Sequence, residues 1–298
     1  MRTWIGDAAL VSAPAKINLC LHVLGGRADG YHFIDSLVAP IALFDELVIR
    51  VDSNCSDRVT LRCEPELSLP SAGDNLALRA AHLFLSRSGI SAKVSITLSK
   101  RIPVGAGLGG GSSDAAAVLR GLNALLRKPV PHGQLIAWAL ELGADLPLFV
   151  FGRPARMRGI GEILEPWIAD IAWPIVVAFS GSGLDTRTVY AKYDDLLTMS
   201  GAPSNIRPPF LGQGSLRSLL HNDLESAALH FQPALRSLRR QFCCLGAEGV
   251  SMTGSGSAIF GCWKHWDDAR AASEQLRAAG VWARGVSVLE QVPAIVLV

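Results

Sequence analysis

The stretch Pro103-Val104-Gly105-Ala106-Gly107-Leu108-Gly109-Gly110-Gly111-Ser112-Ser113-Asp114 places five glycines in seven positions ahead of an Ala- and Leu-rich run, SSDAAAVLRGLNALL at 112–126. Glycines lack a Cβ, so such a loop can turn several backbone N–H groups into one concavity at a helix N-terminus, where the dipole also favours an anion. The run predicts a helix over 112–126, with Ser112, Ser113 and Asp114 supplying capping oxygens at its start. A phosphate is the natural occupant. A flexible linker fits poorly, because Pro103 and the helix bracket the glycines tightly.

Two familiar phosphate loops fail against these residues. The Walker A pattern needs Gly-Lys-Ser/Thr, and here Ser112 and Ser113 follow the glycines without a lysine. Gly105-Ala106-Gly107-Leu108-Gly109-Gly110 satisfies GxGxxG formally, but no acidic residue stands about 20 positions on, where Asn123 to Lys128 lie.

Outward from the loop, helix and strand alternate. Ile17, Leu19, Leu21 and Val23 alternate with Asn18, Cys20 and His22, which predicts a strand leading into Gly25-Gly26. Further strands are expected over 46–52, 93–98 and 257–263. Helices are expected over 75–88 with Asp74 as N-cap, over 132–142 closed by Gly143, within 216–245, and over 267–279 entered through Asp267 and ended by Gly280. The stretch 199–214 concentrates Pro, Gly and Ser and reads as a loop. The pattern is α+β in two parts, and 298 residues at about 150 per domain agree.

With 28 Lys plus Arg against 26 Asp plus Glu, a net charge of +2 is too balanced for a general nucleic-acid binder. A content of 49% hydrophobic and 18% charged residues excludes a disordered chain, and no apolar run approaches the roughly 20 residues of a membrane span. Cys20, Cys55, Cys63, Cys243, Cys244 and Cys262 form no CxxC pair and read as reduced thiols. The short apolar run before Ser12-Ala13-Pro14-Ala15 is broken by Asp7 and is no signal peptide, so a cytoplasmic protein is expected. His22, His82, His132, His221 and His265 show no ligand-like spacing and read as structural. Lys16 sits among Ala15, Ile17 and Leu19, where an unpaired lysine is costly to bury, so a partner carboxylate is implied.

GLGGGSSDAAA at 107–117, with Ala13-Pro14-Ala15-Lys16-Ile17-Asn18-Leu19 before it and Met252-Thr253-Gly254-Ser255-Gly256-Ser257 after it, resembles the three motifs of the GHMP kinases. Arg27-Ala28-Asp29-Gly30-Tyr31-His32, Leu142-Gly143-Ala144-Asp145-Leu146-Pro147 and Gly159-Ile160-Gly161-Glu162 resemble the branch acting on a cytidine diphosphate methylerythritol in the non-mevalonate isoprenoid route. The resemblance implies a two-domain α+β fold. A ribosomal-protein-S5-domain-2-like α/β sandwich over 1–160 would carry the ATP phosphate loop, and a ferredoxin-like α+β domain would span 161–298.

By the same resemblance Asp145 is the catalytic base and the partner of Lys16, and residues 103–113 hold the ATP phosphates. Asn75 and Lys100 line the base and ribose pocket, and Thr253, Gly254, Ser255 and Gly256 pack beside the phosphate loop. Asn18, Tyr31, His32, Thr186 and Tyr190 receive the substrate, with Tyr31 and Tyr190 stacking on cytosine and His32 bonding its edge. Mg²⁺ accompanies ATP, with Ser112 as a candidate ligand and no dedicated carboxylate cage. A monomer or homodimer is expected, without a nucleic-acid or membrane partner. Two alternatives stay open: a GHMP kinase for another small alcohol, and a catalytically silent nucleotide-binding sensor with this fold.

Overall fold

The computed structural model describes residues 3–52, 58–65, 75–168, 173–200 and 219–298, with backbone alone at 199–200. Its spine is two long antiparallel strands, β1 (Ala8–Gly26) and β2 (His32–Asp52), paired from Ala8 opposite Arg50 to Gly26 opposite His32. Alternation exposed only the parts 17–23 and 46–52, because residues 13–21 are buried without a break. A strand covered on both faces needs no polar residue at every second place.

β3 (Arg58–Glu64), β4 (Lys93–Ser99) and the two-residue β12 (Val296–Leu297) complete a main path in the order β12-β1-β2-β4-β3. β5 (Ala155–Gly159) pairs with β2 and with β6 (Ile163–Pro166). The helices α1 (Leu76–Ser88), α2 (Gly110–Leu125), α3 (His132–Leu142) and α4 (Leu146–Phe151) build one core with this sheet, where Phe84, Leu119, Leu122 and Phe149 meet Ile49, Ile96 and Leu98.

Two helix starts beside this sheet differ from expectation. Asp74 lies outside the described residues, and Asn75 caps α1, its Oδ1 accepting from Ala77 N at 2.9 Å and Leu78 N at 3.3 Å. α2 starts at Gly110 behind Gly109, with no side-chain cap. Ser112 and Ser113 therefore sit inside the first turn, and Asp114 just beyond it, instead of capping the helix, because two glycines more are wound into it than the Ala-rich run suggested. The first-turn amides are left for a ligand.

The second sheet has the order β11-β7-β10-β9, all antiparallel, from β7 (Ile175–Phe179), β9 (Gly249–Met252), β10 (Ile259–Cys262) and β11 (Trp282–Val286). Helices α5 (Thr186–Ser200), α6 (Glu225–Phe231) and α7 (Ala234–Cys244) lie between β7 and β9, and α8 (Trp266–Ala278) between β10 and β11. This is the expected ferredoxin-like order. Of the stretch 216–245, His221–Asn222 forms β8, parallel to β1, instead of helix. α8 is entered from His265, and Asp267 lies in its first turn, where the dipole favours its charge. The loop expected over 199–214 falls outside the described residues beyond the end of α5 at Ser200.

The two sheets meet along β1. Ile17 and Leu19 pack with Ile175, Val177 and Phe260 in a shared core, so the strand that opens the first sheet also anchors the second. Residue 160 falls between β5 and β6, which pair with each other in the first sheet. Cys20, Cys63, Cys243, Cys244 and Cys262 are free thiols. Among the described residues, no helix is long and apolar enough to cross a membrane.

Candidate active site

The glycine loop is sewn into the seam between the sheets. Lys16 N donates to Leu108 O at 2.9 Å, Ala258 N to Ala106 O at 2.9 Å, and Leu184 N to Gly105 O at 3.3 Å. Gly107 has φ +77°, and a Cβ there would stand 2.4 Å from the carbonyl oxygen of Thr253. The facing Gly254, at φ +57°, would put a Cβ 2.9 Å from Lys16 Nζ. The two turns interlock at a distance only glycine allows. A cavity of about 1040 Å³ opens over them, with Lys16, Asp145, Tyr31, His32, Tyr190 and the loop from Pro103 to Ser112 on its wall. Asn18, Asn75, Lys100, Thr186, Gly254 and Ser255 also face it, whereas Ser113, Thr253 and Gly256 do not line it.

Lys16 is 3% exposed and donates from Nζ to Asn18 Oδ1 and to Gly107 O, both at 2.6 Å. The expected direct pair with Asp145 is not formed within 4.0 Å, because two of the three ammonium donors go to these neutral oxygens. Burial pulls the Lys16 ammonium below its ordinary value, while the charge of Asp145 acts against that fall. Asn18 is a support of Lys16 as much as a cavity residue: its Nδ2 donates to Ser36 Oγ at 2.9 Å and its Oδ1 accepts from Thr253 Oγ1 at 3.2 Å.

Asp145 stands at the N-cap of α4, yet its side chain makes no capping bond. Its carboxylate is thus held at a rigid corner without being consumed by it. Behind it, a Cβ on Gly161 would lie 2.9 Å from Ala144 O, so the β5–β6 turn rests against the residue before Asp145. Glu162 Oε2 accepts from Ile160 N at 2.6 Å and fixes that turn.

Lys100 faces the cavity and is tied to two buried carboxylates. Its Nζ donates to Asp45 Oδ2 at 2.5 Å and to Asp114 Oδ2 at 2.7 Å, with the lysine side chain 6% exposed. Burial alone would lower this ammonium, but the two carboxylates outweigh it and hold its pKa up. Asp114 is pushed up by its own burial, with Lys100 opposing and Asp45 reinforcing the rise. Asp45 Oδ1 also accepts from Arg101 N at 2.5 Å and Ile102 N at 2.8 Å, pinning the approach to the glycine loop. Asp45 escaped the sequence reading, and Asp114 was read there only as a helix cap. An Asp inside the strand pattern Leu43-Phe44-Asp45, and one after the two serines, were the available signals.

At the other wall His32 Nε2 donates to both oxygens of Asp194, at 2.9 and 3.0 Å, and its ring stacks on Tyr190 with centroids 4.7 Å apart. His32, not Tyr31, is the ring against Tyr190, and Tyr31 stands 53% exposed beside it. Burial pushes the Tyr190 phenol up, and the Asp145 charge adds to that rise. Thr186 Oγ1 is 2.9 Å from Ser255 Oγ, joining the start of α5 to the third motif. Asp194 was also missed, although it lies four residues after Tyr190 on the same helix face.

Comparison with known proteins agrees with this arrangement. Residues 75–153 match the model of the GHMP kinases N terminal domain, and 212–281 that of GHMP kinases C terminal. The 4-diphosphocytidyl-2-C-methyl-D-erythritol kinase of Syntrophotalea carbinolica is 40% identical over 272 residues, covering 91% of this chain and 95% of that protein. The protein of that name from Thermus thermophilus is 42% identical over 279 residues, 91% of this chain and 94% of its own. A crystal structure of 4-(cytidine 5'-diphospho)-2C-methyl-D-erythritol kinase superposes with a TM-score of 0.75 at 41% identity, covering 93% of this chain and 99% of that one. The homoserine kinase of Cytophaga hutchinsonii, at 20% identity and a TM-score of 0.74 over 99% of both chains, shares the fold. On these matches the chain belongs to the GHMP kinase family, in the branch whose named members are 4-diphosphocytidyl-2-C-methyl-D-erythritol kinases.

Proposed function

We propose that this chain transfers the γ-phosphoryl group of ATP to the 2-hydroxyl of 4-diphosphocytidyl-2-C-methyl-D-erythritol, releasing ADP and the 2-phosphate for isoprenoid precursor synthesis. One observation carries the reading: the glycine loop, Lys16, Asp145 and the Tyr31, His32 and Tyr190 rings line a single cavity. Asp145, with no capping bond to serve, takes the hydroxyl proton, and the oxygen attacks the γ-phosphorus in line. The third donor of Lys16 faces the charge that gathers on the transferring group. The loop amides and the uncapped start of α2 hold the remaining phosphate oxygens.

Asn75 uses Oδ1 for the helix cap and offers Nδ2 to the nucleotide, while Lys100 holds the pocket floor through Asp45 and Asp114. The two parts of the chain, 1–160 and 161–298, both contribute walls to the site. The donors near α2 fit Mg²⁺: Ser112 and Asp114 line the cavity, and the buried Asp114 Oδ1 has no hydrogen-bond partner. Ser112 would hold the ion with phosphate oxygens and water, and when bound it neutralises phosphate charge. His32 and Tyr190, backed by Asp194, receive the cytosine, and Tyr31 covers it from the open side.

The test follows ADP and phosphorylated product from the purified protein with the cytidylyl substrate, mevalonate, galactose and homoserine in parallel. Turnover confined to the cytidylyl substrate is expected. Turnover with another alcohol instead would discard the cytosine pocket, and ATP binding without any turnover would leave a sensor.

A further inference from the structure

His22, His221 and Asp223 come from distant parts of the chain and meet because β8 runs parallel to β1, with Cys20 opposite His221 and Leu21 opposite Asn222. The two imidazoles stack with centroids 4.7 Å apart and planes 19° from parallel. Asp223 stands beside both: Oδ1 is 2.6 Å from His221 Nε2, and Oδ2 is 3.9 Å from His22 Nδ1. One ligand atom from each of the three residues lies within 4.8 Å of the other two. We propose that these three side chains form a binding site for a divalent transition ion of the zinc class, separate from the Mg²⁺ that accompanies ATP.

The donor set decides the class. Two imidazoles and one carboxylate suit zinc and its neighbours, whereas Mg²⁺ and Ca²⁺ take oxygen shells. Donors bound at about 2.0–2.2 Å in a tetrahedron stand roughly 3.3–3.6 Å apart, so the cluster closes on an ion with side-chain movement alone. The seat is preformed. Asp223 N donates to Leu21 O at 3.0 Å, and Asp223 Oδ2 accepts from Val23 N at 2.8 Å. The side chains of His22 and Asp223 are 13% and 21% exposed, while that of His221 is 45% exposed and free to swing onto the ion. The ion takes the place of the proton shared by His221 Nε2 and Asp223 Oδ1, and water completes the fourth position.

The site has a structural reach. Asn222, between two of the ligands, donates from Nδ2 to Met252 O and Gly254 O, both at 2.9 Å. An ion on its flanking residues clamps the support of the third motif to β1, the strand that carries Lys16.

The experiment titrates chelator-stripped protein with Co²⁺ and reads its visible d–d absorption, then displaces Co²⁺ with Zn²⁺. The expected result is a saturable tetrahedral spectrum, with the affinity lowered more than about 10-fold in both His221→Gln and His22→Gln. A Cys243→Ser/Cys244→Ser variant keeps the spectrum, and Zn²⁺ raises the unfolding midpoint of the parent by about 5 °C but not that of His221→Gln. His221 is exposed, so its variant folds, and its metal-free unfolding midpoint checks this. No Co²⁺ spectrum, one unchanged in both histidine variants, or one lost only with the cysteines overturns the site.

Discussion

Lys16 Nζ donates to the carbonyl oxygen of Gly107 at 2.6 Å, so the buried cation is bonded to the loop on which the phosphates are proposed to rest. A lysine that only neutralised charge would be free to swing with its four-carbon stem. Here Asn18 Oδ1 takes a second donor at 2.6 Å, and Asn18 itself is fixed by Ser36 and Thr253. The first and third motifs therefore hold one ammonium in one place, which is the condition for it to stabilise a transition state without reorganising.

That placement makes Lys16 sensitive to alkali. Burial lowers its pKa from the ordinary 10.5, with Asp145 opposing, so the proton leaves at lower pH than from an exposed lysine. The rate kcat/KM is expected to fall along an alkaline limb below 10.5, and Lys16→Met to lose about 10²–10³ in kcat. A pH profile of ADP release measures both. A limb at or above 10.5 would detach Lys16 from the chemistry.

Lys100 is expected to matter to stability first. Removing it leaves Asp45 and Asp114 buried against each other, so Lys100→Met should cost about 3–5 kcal/mol in urea unfolding. Adding Asp114→Asn to that variant removes one of the two facing charges and should restore part of the loss. Equal midpoints for Lys100→Met and the parent would mean that the ion pairs of Lys100 add nothing to stability.

The chemistry of the site was more legible than its supports, for a physical reason. A glycine loop that meets phosphate must be written as glycine, and Gly107 shows why, with Thr253 O where its Cβ would be. The long strands were half hidden because burial on both faces erases the alternation that reveals a strand. Asp45 and Asp194 were missed because each acts through a residue far away in sequence, Lys100 for the first and His32 for the second, and Asp114 read as a helix cap because its partner Lys100 lies on the other side of the glycine loop. The start of α2 was misread because serines that could cap a helix and serines wound into its first turn are the same letters.

Asp194 is expected to act on the cytidylyl substrate alone. Its carboxylate accepts from His32 Nε2, which fixes the orientation of the ring on the wall proposed to receive the cytosine. Asp194→Ala should raise KM for that substrate about 10-fold or more and leave KM for ATP unchanged. Asp194→Asn, which still accepts through its amide oxygen, should recover part of the loss. Initial-rate kinetics with each substrate varied separates this from a general weakening of the fold, which would move both constants.

Asp145→Asn gives the sharpest test of the proposed reaction. The substitution keeps shape and hydrogen-bonding reach but removes the ability to take a proton, and the native carboxylate makes no capping bond whose loss could disturb α4. Turnover should fall by about 10²–10⁴ while ATP affinity, set by the loop and α2, stays within experimental error. The charge of Asp145 also holds the Lys16 pKa up, so the residual activity should show its alkaline limb at still lower pH than the parent. That second readout distinguishes a base facing Lys16 from an Asp that merely lines the wall. Full activity in Asp145→Asn would remove the base assignment, and an unmoved limb would remove the coupling between the two residues.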